Sequence, residues 1–168
     1  MTKSEYLKLR DRFTPENPKI MFVLESPPAS GLYFYNPDGK TTEPLFKAMM
    51  KDVLEIEPRS KEAGLNEFSA RGFFLVDATY TPVNRLEDEE KEAMILRDFP
   101  PLVEDLRKHA KPNTRLVLIK ANVCRLLEPT LTAVGFNVLN QGVKIPFPST
   151  GQQGKFRTAI RNVLEIRS

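Results

Sequence analysis

Three apolar runs constrain the fold of this chain more than any other feature: Lys19-Ile20-Met21-Phe22-Val23-Leu24, Gly72-Phe73-Phe74-Leu75-Val76-Asp77 and Arg115-Leu116-Val117-Leu118-Ile119. None alternates apolar with polar residues, the mark of strands buried on both faces. Such strands need a layer of helix on either side, and the segments between them supply it. Residues 4–12 predict an amphipathic helix with Tyr6, Leu7 and Leu9 inward, ended near Pro15 and Pro18. A second helix is expected over 43–54, where Leu45, Phe46, Met49, Met50 and Val53 recur at helical spacing. A long helix over 88–109 should bend or break at Pro100-Pro101, a short one cover 121–127, and a closing one cover 156–165 with Phe156, Ile160, Val163 and Leu164 inward. Phe136-Asn137-Val138-Leu139 predicts a further strand. Strands alternating with helices imply crossover units, hence an α/β fold: a three-layer α/β/α sandwich around a mostly parallel sheet, in one domain spanning 1–168.

In such a fold ligands bind beyond the carboxyl ends of the strands. That rule selects the loops at 25–39, 77–84 and 141–155. Their chemistry is not that of a cysteine or histidine metal cage, since the chain has one cysteine, Cys124, and one histidine, His109. We therefore expect no metal and no cofactor. No apolar stretch is long enough for a membrane span, and the start of the chain lacks a signal-peptide pattern, so a cytoplasmic monomer is expected. The net charge of +3 and pI near 9.0 favour a polyanionic partner without requiring one. Lys144, Lys155, Arg157, Arg161 and Arg167 concentrate basic charge in the last stretch, either for phosphate contact or as a solvated helix face.

Within the first loop, Glu25 follows a buried strand directly, placing a carboxyl where it can orient water or stabilise positive charge, or else cap a backbone or pair with an arginine. Tyr33, Phe34 and Tyr35 lack helical periodicity; they are suited to stacking on a base or to packing the loop itself. Asp77 ends the second strand, where it can meet a ligand or stabilise a turn, and Thr79, Tyr80, Thr81 and Asn84 are further polar candidates. The third loop combines Pro146, Pro148, Gly151 and Gly154 with the donors Ser149, Thr150, Gln152, Lys155 and Arg157 ahead of a helix start, the pattern of an anion site. It lacks the spacing of a P-loop.

In order, these pieces resemble the uracil-DNA glycosylase superfamily, from Ile20 to Leu164. In that family a buried strand opens into a loop with a catalytic polar residue two before a proline, the form of Val23-Leu24-Glu25-Ser26-Pro27-Pro28. Glu25 falls on the catalytic position, as in the branch carrying Gly-Glu-Ala-Pro-Gly. Tyr33-Phe34-Tyr35-Asn36-Pro37 resembles the Pro-Phe-Ala-His-Pro of the mismatch-specific branch, and aligns Phe34 with the ring that stacks on a flipped base. Asp77 stands where the family has a base-reading asparagine, and the stretch to Asn84-Arg85 resembles the rest of that motif. Leu118-Ile119-Lys120-Ala121 is similar to a Leu-Gly-Lys-x-Ala segment, and Phe147-Pro148-Ser149 to a closing His-Pro-Ser, with Phe147 in place of the histidine.

The resemblance implies a metal-free, monofunctional DNA glycosylase of base excision repair. It would flip uracil or another deaminated base, stack it on Phe34, and cleave the N-glycosidic bond with Glu25 stabilising the cationic sugar. On the same ground Tyr35, Ser26, Pro27 and Asn84 would contact the substrate, and Ser149, Thr150, Gln152, Lys155 and Arg157 the DNA. Asp77 would accept from a base, or donate if burial raised its pKa. The role lost at Phe147 would pass to the amides of 149–154, to Gln152 or to Lys155. Two other classes compete: a non-catalytic DNA- or lesion-binding module of the same fold, and an enzyme acting on free nucleosides or nucleotides.

Overall fold

The computed structural model describes residues 1–167. The first apolar run forms β1 (Ile20–Leu24), buried at every position, and the second and third form β2 (Phe73–Asp77) and β3 (Arg115–Leu118). All pairing is parallel, in the order β2-β1-β3, with Leu24 opposite Asp77 and Val23 opposite Leu118. The architecture is thus α/β, a three-stranded parallel sheet with helices in its connections.

The anticipated fourth strand shrinks to a single bridge between Leu116 and Val138. Two residues on, the side chain of Asn140 stands in for a strand: its Oδ1 accepts from Leu118 N at 2.8 Å and its Nδ2 donates to Leu118 O at 2.9 Å. A side-chain amide carries the same donor and acceptor as a peptide, so it can end a ladder without orphaning the neighbour's groups. At the opposite edge the Tyr35 hydroxyl accepts from Leu75 N at 2.8 Å.

Helix α1 (Lys3–Asp11) opens on a capping box between Thr2 and Glu5, and buries Arg10 besides the expected Tyr6. Helix α2 (Pro44–Ala48) runs into a π-helical turn (Met49–Leu54), and α3 (Lys61–Ala70) follows. The expected helix over 43–54 is therefore not uniformly α. Its π turn widens the coil so that Met49, Met50, Val53, Leu54 and Asp52 are all buried. The predicted helix over 88–109 is two, α4 (Asp88–Arg97) and α5 (Phe99–His109). The break falls at Asp98, because Pro100 and Pro101 sit in the first turn of α5, where an amide has no helical acceptor. Helix α6 (Ala121–Ala133) outruns the expected 121–127 and passes through Pro129. That proline is exposed, while Leu127 and Leu131 anchor the opposite side in the core. Helix α7 (Gln153–Val163) closes the chain with Phe156, Ile160 and Arg161 buried.

Packing is close where α3 meets α2 and the π turn. A methyl group on Gly64 would lie 2.4 Å from Phe46 Cζ and 2.9 Å from Met50 Sδ. Gly64→Ala, which in an exposed helix would stabilise by about 1 kcal/mol, should here lower the unfolding free energy by about 1–3 kcal/mol in urea titration. An unchanged or raised midpoint would mean that this contact yields freely.

Candidate functional site

Parallel register brings Glu25 and Asp77 to the same end of the sheet. The pairing runs past the strands, with Ala78 N donating to Leu24 O at 2.7 Å and Thr79 N to Glu25 O at 3.0 Å. Both acids are 5% exposed. They line a cavity of about 300 Å³ with Ser26, Pro27, Phe34, Asn84, Lys120 and Phe147 among its other walls. One Glu25 oxygen accepts from Lys120 Nζ at 2.6 Å and the other from the Asn122 amide. The carboxyl group is thereby fixed at both oxygens rather than left to rotate.

Asp77 is the opposite case. No hydrogen bond from the described residues reaches its carboxyl group, although its backbone N–H donates to Tyr80 Oη at 3.3 Å. Burial pushes its pKa up to about 8; the nearby positive charge of Arg10 opposes the rise and the negative charge of Glu25 adds to it. Asp77 also borders a second cavity of about 260 Å³, between α1 and α5, with Lys3, Tyr80, Asp98 and Asp105. Arg10 holds that side together, donating to Asp105 at 2.7 and 3.0 Å and to Tyr80 Oη at 2.8 Å. Burial raises the cost of charge on both Arg10 and Asp105, yet the neighbouring His109 ring and the bidentate pair with Arg10 together keep Asp105 well below the usual carboxylate range.

The aromatic loop is held from behind by a pair that sequence reading did not anticipate. Lys61, at the start of α3 and fully buried, donates to Tyr33 O at 2.6 Å and to Glu43 Oε1 at 2.8 Å. Gly39 must be small beside it, since a methyl group there would come within 2.2 Å of Glu43 Oε2. Of the three aromatics, Tyr33 and Phe34 line the cavity. Phe34 is braced edge-on by Tyr35 and Phe68. Tyr35, expected to contact substrate, is instead fully buried core, stacked on Phe13 with its hydroxyl committed to β2. Ser26 and Asn84 do line the cavity and also tie the first two loops together, Ser26 Oγ accepting from Val83 N at 3.2 Å and Asn84 Oδ1 from Ala29 N at 2.9 Å.

The third loop enters the cavity only through Phe147; Ser149, Thr150, Gln152, Lys155 and Arg157 do not line it. Arg157 pairs with Asp52 at 2.8 Å, and Arg161 is buried, donating to Asp52 O at 3.0 Å and Glu55 at 2.9 Å. These two arginines clamp α7 to the π turn, so the basic stretch is less available than its composition implies. Ser149, Thr150 and Lys155 are exposed and do not line the cavity.

Lys120, read only as part of the Leu118-Ile119-Lys120-Ala121 resemblance, and Asn122 are site residues to which the sequence assigned no role. Lys120 follows the third apolar run as Glu25 follows the first, so the same strand-end rule carried on to β3 is the signal that could have found it. Nothing local signals Lys61 or Arg10, whose burial depends on Glu43 and Asp105, far away in sequence. Among the described residues, no three His, Cys, Asp or Glu side chains are grouped to hold a metal ion, and no helix is long and apolar enough to cross a membrane. No protein-family model matches the chain, and no curated protein matches it in sequence.

The Asp77 environment has a measurable consequence for stability. An unfolded aspartate releases its proton near pH 4, whereas folded Asp77 holds it to about 8. Between those values the folded chain binds the extra proton, so this group lowers stability as pH rises, by up to about 1.4 kcal/mol per pH unit. Asp77→Asn should therefore be more stable than the native protein in urea by a margin that widens from pH 5 to pH 8. A margin independent of pH would mean that folded Asp77 is already ionised.

Proposed function

We propose that this chain is a DNA glycosylase with a three-layer fold of the uracil-DNA glycosylase kind, hydrolysing the N-glycosidic bond of uracil or another deaminated base. The observation that carries the reading is the cavity itself. It sets a fixed carboxylate, Glu25, and an unpartnered, neutral carboxyl, Asp77, beside the ring of Phe34.

Each feature matches a requirement of the reaction. A base turned out of the duplex needs an aromatic face, which Phe34 offers. Deamination leaves a ring N–H beside a carbonyl, and a neutral carboxyl group pairs with that edge by donating to the oxygen and accepting from the N–H. As the bond breaks, negative charge accumulates on the base. A carboxylic acid kept neutral by burial can donate to it, a role that Phe147 cannot fill, and the donors of the third loop do not line the cavity. Positive charge on the sugar is met by Glu25, and water adds there. Exposed Ser149, Thr150 and Lys155 would then meet phosphates at the mouth of the cavity. Phe147 in the cavity wall is the one observation favouring the alternative, a lesion-binding module without chemistry.

Labelled oligonucleotides carrying uracil, hypoxanthine or xanthine, cleaved by alkali after incubation, test the proposal. The native protein should release at least one of these bases, and Glu25→Gln should slow release by about 10²–10⁴-fold. Because the neutral form of Asp77 is the active one, the rate should fall about tenfold per pH unit above pH 8, and Asp77→Asn should lack that fall. Salt-sensitive binding with no release from any oligonucleotide would leave the binding module as the reading.

A further inference from the structure

Lys120 is the cation in the cavity wall whose place the mechanism above leaves unexplained. Its backbone sits at φ +89° and ψ 134°, a region that a side chain with a Cβ rarely adopts. Strain of that kind persists only where the surroundings enforce it. Here Lys120 N donates to Ile145 O at 2.7 Å and the preceding Ile119 N to Val23 O at 3.0 Å, locking the turn between β3 and α6. The turn delivers an amine, about one third exposed, to within 2.6 Å of Glu25 Oε1. Lys61, the other lysine close to the cavity, is fully buried behind the aromatic loop with its donors committed to Tyr33 and Glu43. Lys120 is thus the amine that faces the cavity.

We propose that Lys120 is a nucleophile toward sugar aldehydes, giving the site an abasic-site lyase activity beyond base removal. The proposal rests on the glycosylase reading in one respect, that the deoxyribose lies against Glu25. A C1′ carbon close enough to be stabilised by Glu25 is also close to Lys120 Nζ, since the two groups touch. With the cavity filled, the Lys120 ammonium passes a proton to Glu25, and the freed amine attacks C1′ of the ring-opened sugar. Glu25 returns that proton to the carbinolamine hydroxyl, which leaves as water to give a protonated imine, and Glu25 is again a carboxylate. The Glu25 carboxylate then removes a C2′ proton to give the C1′–C2′ enamine, whose electron pair moves to C2′–C3′ and expels the 3′ phosphate, breaking the C3′–O bond and restoring the protonated imine. Water hydrolyses the imine, returning the amine and releasing an unsaturated aldehyde on the cut strand. No oxidant, reductant or further reactant is consumed.

The test uses an oligonucleotide with a preformed abasic site, so it does not depend on base release. Native protein mixed with this DNA and sodium borohydride should yield a covalent protein–DNA adduct, with the modified peptide containing Lys120. Without borohydride the strand should be cut on the 3′ side of the site. Lys120→Arg keeps a cation beside Glu25 but forms no stable imine, and should abolish both products. Lys120→Gly, which suits the positive φ and so should fold, should do the same. A reduced, aldehyde-free abasic analogue should give no adduct with any form. No adduct from native protein that binds the abasic oligonucleotide in a gel shift would overturn the proposal, as would an adduct undiminished in Lys120→Arg. Adduct formation without release of any base from damaged DNA would uphold the lyase and sink the glycosylase; base release without an adduct would do the reverse.

Discussion

Parallel pairing of β1 with a neighbour on each side is the constraint on which the rest of this structure depends. β1 is buried on both faces, so every backbone N–H and C=O in it must find a partner within the sheet. β2 and β3 supply those partners, and their register carries Leu24 opposite Asp77. Because the ladder continues through Ala78 and Thr79, Glu25 cannot move relative to Asp77 without breaking backbone bonds. The two acids are as rigid as the sheet that presents them.

A sheet of three strands has two edges close to its centre, and here side chains close both. Tyr35 takes the N–H of Leu75 on one side, and the amide of Asn140 takes both groups of Leu118 on the other. The first of these closures reaches the cavity. Tyr35 is fixed by the β2 edge and braces Phe34, which forms part of the wall. The second reaches it from the other side, since holding the chain at Asn140 leads it back to Ile145, whose carbonyl accepts from Lys120.

The interior holds two kinds of charged group. Arg10 with Asp105 and Lys61 with Glu43 are paired and hydrogen-bonded, which offsets the cost of removing them from water. Asp77 has no such partner, and Lys120 holds a strained backbone to keep its amine at the cavity. Unpartnered acid and strained lysine lie in the same cavity as Glu25, with Glu43 of the second buried pair also in its wall. A chain under selection for stability alone has no use for either.

Much of this could be read from local pattern. The three apolar runs appear as three buried strands because a period-free apolar segment between breakers has few other stable forms in water. Glu25 and Asp77 lie at a shared cavity because the ends of parallel strands meet at one edge of a sheet. Helix ends were less legible. Pro100 and Pro101 signalled a break, but whether a proline lies inside a helix or in its first turn depends on where the helix starts, which α5 settles at Asp98. Pro129 was passed through because Leu127 and Leu131 were held by the core. Helix α3, with Leu65 and Phe68 on its buried side, carries too few large apolar residues to show a helical period in its sequence.

Apolar periodicity thus decides which segments become strands and where their polar ends emerge, since burial of apolar surface depends on near neighbours in the chain. The partners of a polar group are a different matter. Arg157 pairs with Asp52, Lys120 with Glu25, and Arg10 with Asp105, each across roughly a hundred residues of chain. Whether a basic side chain meets solvent, a ligand or an internal acid is fixed only when distant elements pack, because an ion pair is worth its desolvation only at close range and in defined geometry. That is why the sequence could place Glu25 and Asp77 at the site, while only the folded chain could pair Lys120 with Glu25 and turn Arg157 and Tyr35 away.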